Sequence, residues 1–179
     1  MREVPLEKEN HVKQIAVLLA SCCLTLLSAL AHEPGRDAAS LELGGGKVTI
    51  DYGTPKLSGR NLDEMIKPGV LWRMGMNAAT TLENSVALDF KGKILQPGKY
   101  TLFARADEKR NWFLLITNGG NPMRLDPASI VIEVPLRFSR DETSVEVLKI
   151  LLERAGGEYP FRLRVAWGNY RLHTSFKAG

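Results

Sequence analysis

The chain has 179 residues, 25% of them charged and 44% hydrophobic, with a formal net charge of +4. That is an ordinary globular mix with room for one domain, so disorder throughout is excluded. The excess of basic residues is mild and interleaved with acids, with no dense basic stripe of the kind that nucleic-acid binding uses.

The first segment reads as an export signal. Lys8 and Lys13 precede an apolar run over 15–30, and Ala29-Leu30-Ala31 supplies small residues for cleavage before the polar His32-Glu33-Pro34-Gly35. The expected boundaries are a signal peptide over 1–31, a flexible lead-in over 32–46 and one domain over 47–179. Leu19-Ala20-Ser21-Cys22 opens a rival reading as a lipoprotein anchored through Cys22. Both cysteines, Cys22 and Cys23, lie in this segment. A processed domain then has no disulfide, no cysteine-ligated metal and no thiol nucleophile. The short apolar run and early cleavage site predict no membrane span after processing.

Beyond the lead-in, Lys47–Tyr52 alternates Val48, Ile50 and Tyr52 with polar residues, the pattern of a half-buried strand. Tyr52 to Thr81 follows, rich in glycine and proline and read as a shaped loop region. Within it Asn61 is placed to cap a short helical turn, with Asp63 and Glu64 favourable in its first turn. Strands are predicted over 80–83, 86–90, 93–95, 99–104 and 111–117. Lys91-Gly92 and Gln96-Pro97-Gly98 turn the chain between them. Further strands are read at 129–138, 143–152, 161–167 and 170–176, with Gly168-Asn169 as a two-residue hairpin. Gly44-Gly45-Gly46 precedes a strand and reads as a flexible hinge. The series predicts an all-β fold, a single antiparallel β-sandwich or flattened barrel.

Four strings carry a family resemblance, together with the closing Trp167-Gly168: Tyr52-Gly53-Thr54-Pro55, Ser58-Gly59-Arg60, the run from Pro68 to Thr80 containing Trp72-Arg73-Met74-Gly75-Met76-Asn77, and Leu95 to Phe103. The chain resembles the bacterial domain of unknown function 2911. The resemblance covers nearly all of the expected domain. It implies an exported, largely β-stranded protein and supplies no function.

The sequence holds no G-x-S-x-G elbow, phosphate loop or dinucleotide fingerprint. His173 is the one histidine well inside the domain, which excludes a multi-histidine metal site. It reads as a strand-surface or satisfied histidine rather than a base. No cofactor or metal is expected. Asp51 reads as solvated, and Asp63 and Glu64 as helix-start acids rather than a catalytic pair. The remaining candidate site is Arg60, Trp72, Arg73, Asn77 and Thr80. There guanidinium forks, a stacking face and an amide would recognise a small molecule, glycan or peptide. The same residues equally suit a scaffold, with Arg73 on loop carbonyls, Asn77 in a left-handed turn and Trp72 plugging the core. Three functions stay open: a non-enzymatic binding module of the periplasm or envelope, a hydrolase-like enzyme with an acid/base site near Arg73, and a structural envelope protein.

Overall fold

The computed structural model describes residues 35–119 and 123–179. The signal, cleavage and lipidation readings of residues 1–31, and His32, lie outside the described residues.

The domain is built almost wholly of antiparallel strands. β1 (Arg36–Glu42) pairs with β2 (Lys47–Gly53), which buries Val48, Ile50 and Tyr52 as the alternation predicts. This corrects the flexible lead-in, because residues 36–42 complete the free edge of β2. Gly44-Gly45-Gly46 is likewise a turn rather than a hinge, closed by the Leu43 N–H donating to the Gly46 carbonyl at 2.8 Å. Two glycines there take φ of +72° and +146°, which other residues rarely adopt.

The sheet continues through β3 (Thr81–Asn84), β6 (Gly98–Ala106), β7 (Trp112–Thr117), β8 (Ile130–Arg154) and β9 (Phe161–Ala178). The short hairpin of β4 (Leu88–Phe90) and β5 (Lys93–Leu95) is added at the far side of β9. Among the described residues the order is β1-β2-β3-β6-β7-β8-β9-β4-β5, one open nine-stranded sheet. The all-β class and the single β-domain hold.

Two predicted breaks are absent. The strands read at 129–138 and 143–152 are one strand of 25 residues whose register shifts on either side of Val145. Such bulges bend a strand without ending it. The hairpin at Gly168-Asn169 does not form either. β9 runs through Gly168, which has φ +51° and lies opposite Val145. The inward set changes phase there, from Phe161, Leu163, Val165 and Trp167 to Tyr170, Leu172, Thr174 and Phe176. One inserted residue produces that phase change, and a glycine in a left-handed conformation is what a bulge accepts.

The bulges curl the β8–β9 ribbon. Phe161 and Phe176 bring their ring centroids within 5.7 Å, whereas a straight strand would set them roughly 50 Å apart. The later half of β8 thereby lies against the beginning of the domain. Tyr52 Oη donates to the Ile150 carbonyl at 3.4 Å, Arg154 Nη2 donates to the Glu42 carbonyl at 3.0 Å, and the Leu57 N–H donates to the Glu146 carbonyl at 2.7 Å. The sheet is thus folded on itself around Ile50, Leu82, Leu102, Leu114, Leu148, Ile150 and Leu163, all buried. Each such side chain contributes about 1.5–3 kcal/mol by leaving water.

Candidate functional site

The loop region 52–81 folds as the local signals predict. Asn61 caps a one-turn helix α1 (Leu62–Met65), its side chain accepting from the Asp63 N–H at 2.9 Å. Gly53 permits a close approach: a Cβ there would collide with the Met76 backbone.

The five candidate residues have different surroundings. Trp72 is 8% exposed. Its backbone exchanges hydrogen bonds with Ala104 at 2.8 and 2.7 Å, and its ring lies nearly parallel to Trp167 at 6.0 Å. Thr80 is buried and donates to the Met74 carbonyl at 2.9 Å. Arg60 is turned onto its own loop, Nε donating to the Leu57 carbonyl at 3.0 Å and Nη2 to that of Lys56. Arg73, half-buried, donates to the Asn77 carbonyl at 3.3 Å and to Met123 Sδ at 2.9 Å. Asn77 is exposed and left-handed, φ +59°. Arg73 and Asn77 therefore meet at the surface, while Trp72 and Thr80 point into the interior. A shallow groove beside Ala78 and Ala79 has mixed charges, Arg36, Asp51, Glu83 and Lys99, and Arg36 and Asp51 already form an ion pair.

Asp63 has a second role that the sequence does not reveal. It accepts from Arg140 Nη2 and from Tyr170 Oη, both at 2.6 Å. Arg140 foremost, then Tyr170, hold its carboxyl below the usual range, and burial foremost pushes the Tyr170 phenol up to about 12. Arg140 also lies over the Phe138 and Tyr170 rings, 5.7 and 5.1 Å from their centroids. This cluster ties α1 to the β8–β9 ribbon. All its charges are matched, so it reads as a clasp. Tyr100 Oη donates to the Gln96 carbonyl at 2.9 Å and so ties the turn before β6.

The opposite balance occurs where the β4–β5 hairpin meets the curled ribbon. A cleft of about 450 Å³ opens there, lined by Lys91, Lys93, Arg137, Arg162 and His173, with Thr174 and Ser175 and without a carboxylate. Among the described residues Lys91, Lys93 and Arg137 make no ion pair. Lys91 instead lies over the Tyr159 ring, 6.0 Å from its centroid. Arg162 reaches Glu153 only at 3.8 Å, and its Nε is buried with no hydrogen-bond partner among the described residues. An unsatisfied buried donor of this kind forfeits about 1–3 kcal/mol.

Two details of backbone set these groups in place. The β4–β5 turn is Lys91-Gly92 with φ of +57° and +91°, and the Gly92 N–H donates to Asp89 Oδ1 at 2.5 Å. The first position of such a turn favours asparagine, and lysine there stores roughly 1 kcal/mol of strain. The curl of β9 brings Arg162 to the same cleft as His173. Burial first, then the charges of Arg162, Arg137, Lys91 and Arg164, push the His173 imidazole below its ordinary value.

A family model matches residues 35–176. The chain belongs to the DUF2911 family of proteins of unknown function. No curated protein and no solved structure matches it. The resemblance strings between Tyr52 and Thr80 lie in the packed loop region and Leu95 to Phe103 runs from β5 into β6, whereas the cationic cleft draws on other segments of the matched range. The β4–β5 hairpin, the first half of β8 and the first half of β9 contribute one or two cations each to the cleft, and the second half of β9 adds His173. No linear motif could have shown it; the available signal was Lys91-Gly92 at a tight turn and Arg162 with Arg164 on the outward side of an alternating strand. Among the described residues no group of three or more His, Cys, Asp or Glu side chains could hold a metal ion. No described helix is long and apolar enough to cross a membrane.

Proposed function

We propose that this protein is an exported, non-enzymatic binding module that takes an anionic ligand in the cleft between the β4–β5 hairpin and the β8–β9 ribbon. The observation that carries this reading is the lining itself: Lys91, Lys93, Arg137 and Arg162 around about 450 Å³, with no carboxylate among the lining residues. Packing like charges together opposes folding unless something of opposite sign relieves them. The volume falls within the range of small-ligand pockets. The anionic group can belong to a small molecule, a glycan or a peptide. Export rests on residues 1–31, with processing after Ala31 or lipidation at Cys22 as its two routes.

The hydrolase alternative needs an acid or base placed beside a carboxylate or a nucleophile. Near Arg73, the expected place for it, the guanidinium is turned to the Asn77 carbonyl and Met123; in this cleft His173 is the one histidine, no Asp or Glu lines it, and its neighbours are cations. Binding suits such a lining better than proton transfer does.

Thermal unfolding in sodium sulfate or phosphate, compared with sodium chloride at matched ionic strength, tests the reading. A saturating specific anion raises the transition by several degrees, since a ligand at a hundred times its Kd adds about 2.7 kcal/mol. Equal curves in all salts would remove the proposal. Fractionation of cells expressing the full chain and an Ala29→Leu/Ala31→Leu variant tests export and processing.

A further inference from the structure

We infer that the anionic group taken by this cleft is a phosphate monoester, with Arg137 and Arg162 on its terminal oxygens and Lys91 and His173 closing over it. This rests on the cleft being an anion site and goes on to name the anion.

Charge count comes first. Four fixed cations line the cleft, and a carboxylate or sulfate ester would offset only one. A phosphate monoester carries between 1.5 and 2 negative charges near neutral pH, with a second pKa of about 6, and offers three acceptor oxygens. Donor type comes second. Arg137 and Arg162 present planar forks that match phosphate oxygens in pairs, while Lys91 and Lys93 supply point charges. The Nε of Arg162 is buried and unpartnered among the described residues. An acceptor oxygen that reaches it would satisfy a donor that the fold leaves unpaired. Thr174 and Ser175 belong to the same lining. Third, the strained left-handed lysine at the hairpin tip stands at this cleft. An asparagine would relax the turn and remove the charge.

His173 makes the site responsive to its occupant. The groups facing it are Lys91 and Lys93 from the β4–β5 turn, Arg137 opposite it on β8, and Arg162 with Arg164 from the first half of β9. Glu153 lies behind the last two, at 3.8 and 3.3 Å. Among these cations the empty site disfavours the imidazolium. A bound dianion reverses the local field, so His173 takes up a proton as the ester binds. The ester itself is already mostly dianionic at pH 7 and contributes the opposite, small release.

The test is calorimetric titration of the full chain at pH 7 and constant ionic strength with ethyl phosphate, ethyl sulfate and propionate. Ethyl phosphate is expected to bind about tenfold or more tighter than the other two, from its extra charge and paired contacts. Repeating it in two buffers of different ionisation enthalpy should reveal net proton uptake that disappears in His173→Gln. Arg137→Gln and Arg162→Gln should each weaken ethyl phosphate about tenfold or more, while Arg60→Gln, bonded within its own loop, leaves it unchanged. Lys91→Asn should weaken binding yet leave the unfolding temperature equal or higher, which separates a ligand group from a fold group.

Binding of none of the three probes would sink both the anion site and this inference. Comparable binding of all three would keep the anion site and overturn the phosphate assignment. Phosphate binding that survives Arg137→Gln and Arg162→Gln in folded protein would overturn it as well, by placing the ester elsewhere. Proton uptake that persists in His173→Gln would overturn the role given to the histidine.

Discussion

In the loop region 52–81 aromatic and polar groups end on partners within the fold: Trp72 on Trp167, Thr80 on a carbonyl, Arg60 on its own loop and Asp63 on Arg140 and Tyr170. Around the cleft at Lys91 and His173 the charges outnumber their partners, and Arg162 keeps a buried nitrogen unpaired among the described residues. The first region resembles the inside of a protein drawn out to its surface. The second resembles a surface held in readiness. Dense turn formers beside arginine and tryptophan are needed equally by a shaped scaffold and by a site. Only the balance of partners tells the two apart.

Substitutions can break that contrast. The largest effect is expected from Trp72→Ala, which empties a buried ring site between Trp112 and Trp167. A loss of about 3–5 kcal/mol should appear in urea unfolding. A stable, well-folded variant would return Trp72 to the list of ligand contacts. Next is Gly168→Ala. Its Cβ would meet Leu62 Cδ1 at 2.9 Å while the backbone stays at φ +51°, and about 1–3 kcal/mol should be lost.

Asp63→Asn tests the clasp. Its carboxyl is half in solvent, so about 1 kcal/mol is expected after screening. Because the folded carboxyl lies below its ordinary value of 3.8, its contribution is complete above about pH 4 and is lost as pH falls through the folded value. Wild type and Asp63→Asn unfolding curves should therefore converge in acid. A constant gap between them would deny the ionic part of the clasp.

The smallest stability changes belong to the cleft. Lys93→Gln and Arg137→Gln remove uncompensated charges, and each should shift stability by no more than about 0.5 kcal/mol while shrinking the stabilisation by phosphate. His173 works in the reverse sense to Asp63. Its folded value lies below 6.5, so the unfolded chain binds the proton first. Unliganded stability should fall as pH drops through about 6.5, and His173→Gln should flatten that slope. A slope unchanged in the variant would assign it to other groups.

The one-turn helix, its Asn61 cap and most strands were legible in the sequence, because each rests on neighbours within a few positions. Val48, Ile50 and Tyr52 declare a buried face by alternation alone. The left-handed Asn77 could be read the same way. β1 could not, since residues 36–42 gain their strand from the edge of β2 and not from their own pattern. Nor could the run of β9 through Gly168. A glycine between two alternating stretches is the same signal for a bulge and for a hairpin, and the choice depends on whether β8 continues alongside. Trp72 likewise needed Trp167 to show which way it faces. The cleft lay furthest from view. Lys91, Arg137, Arg162 and His173 are separated along the chain by the very strands whose curl unites them. Local chemistry thus determined the elements, the family and the β class. Tertiary structure alone decided which charges are satisfied, because that depends on the distance to partners remote in sequence.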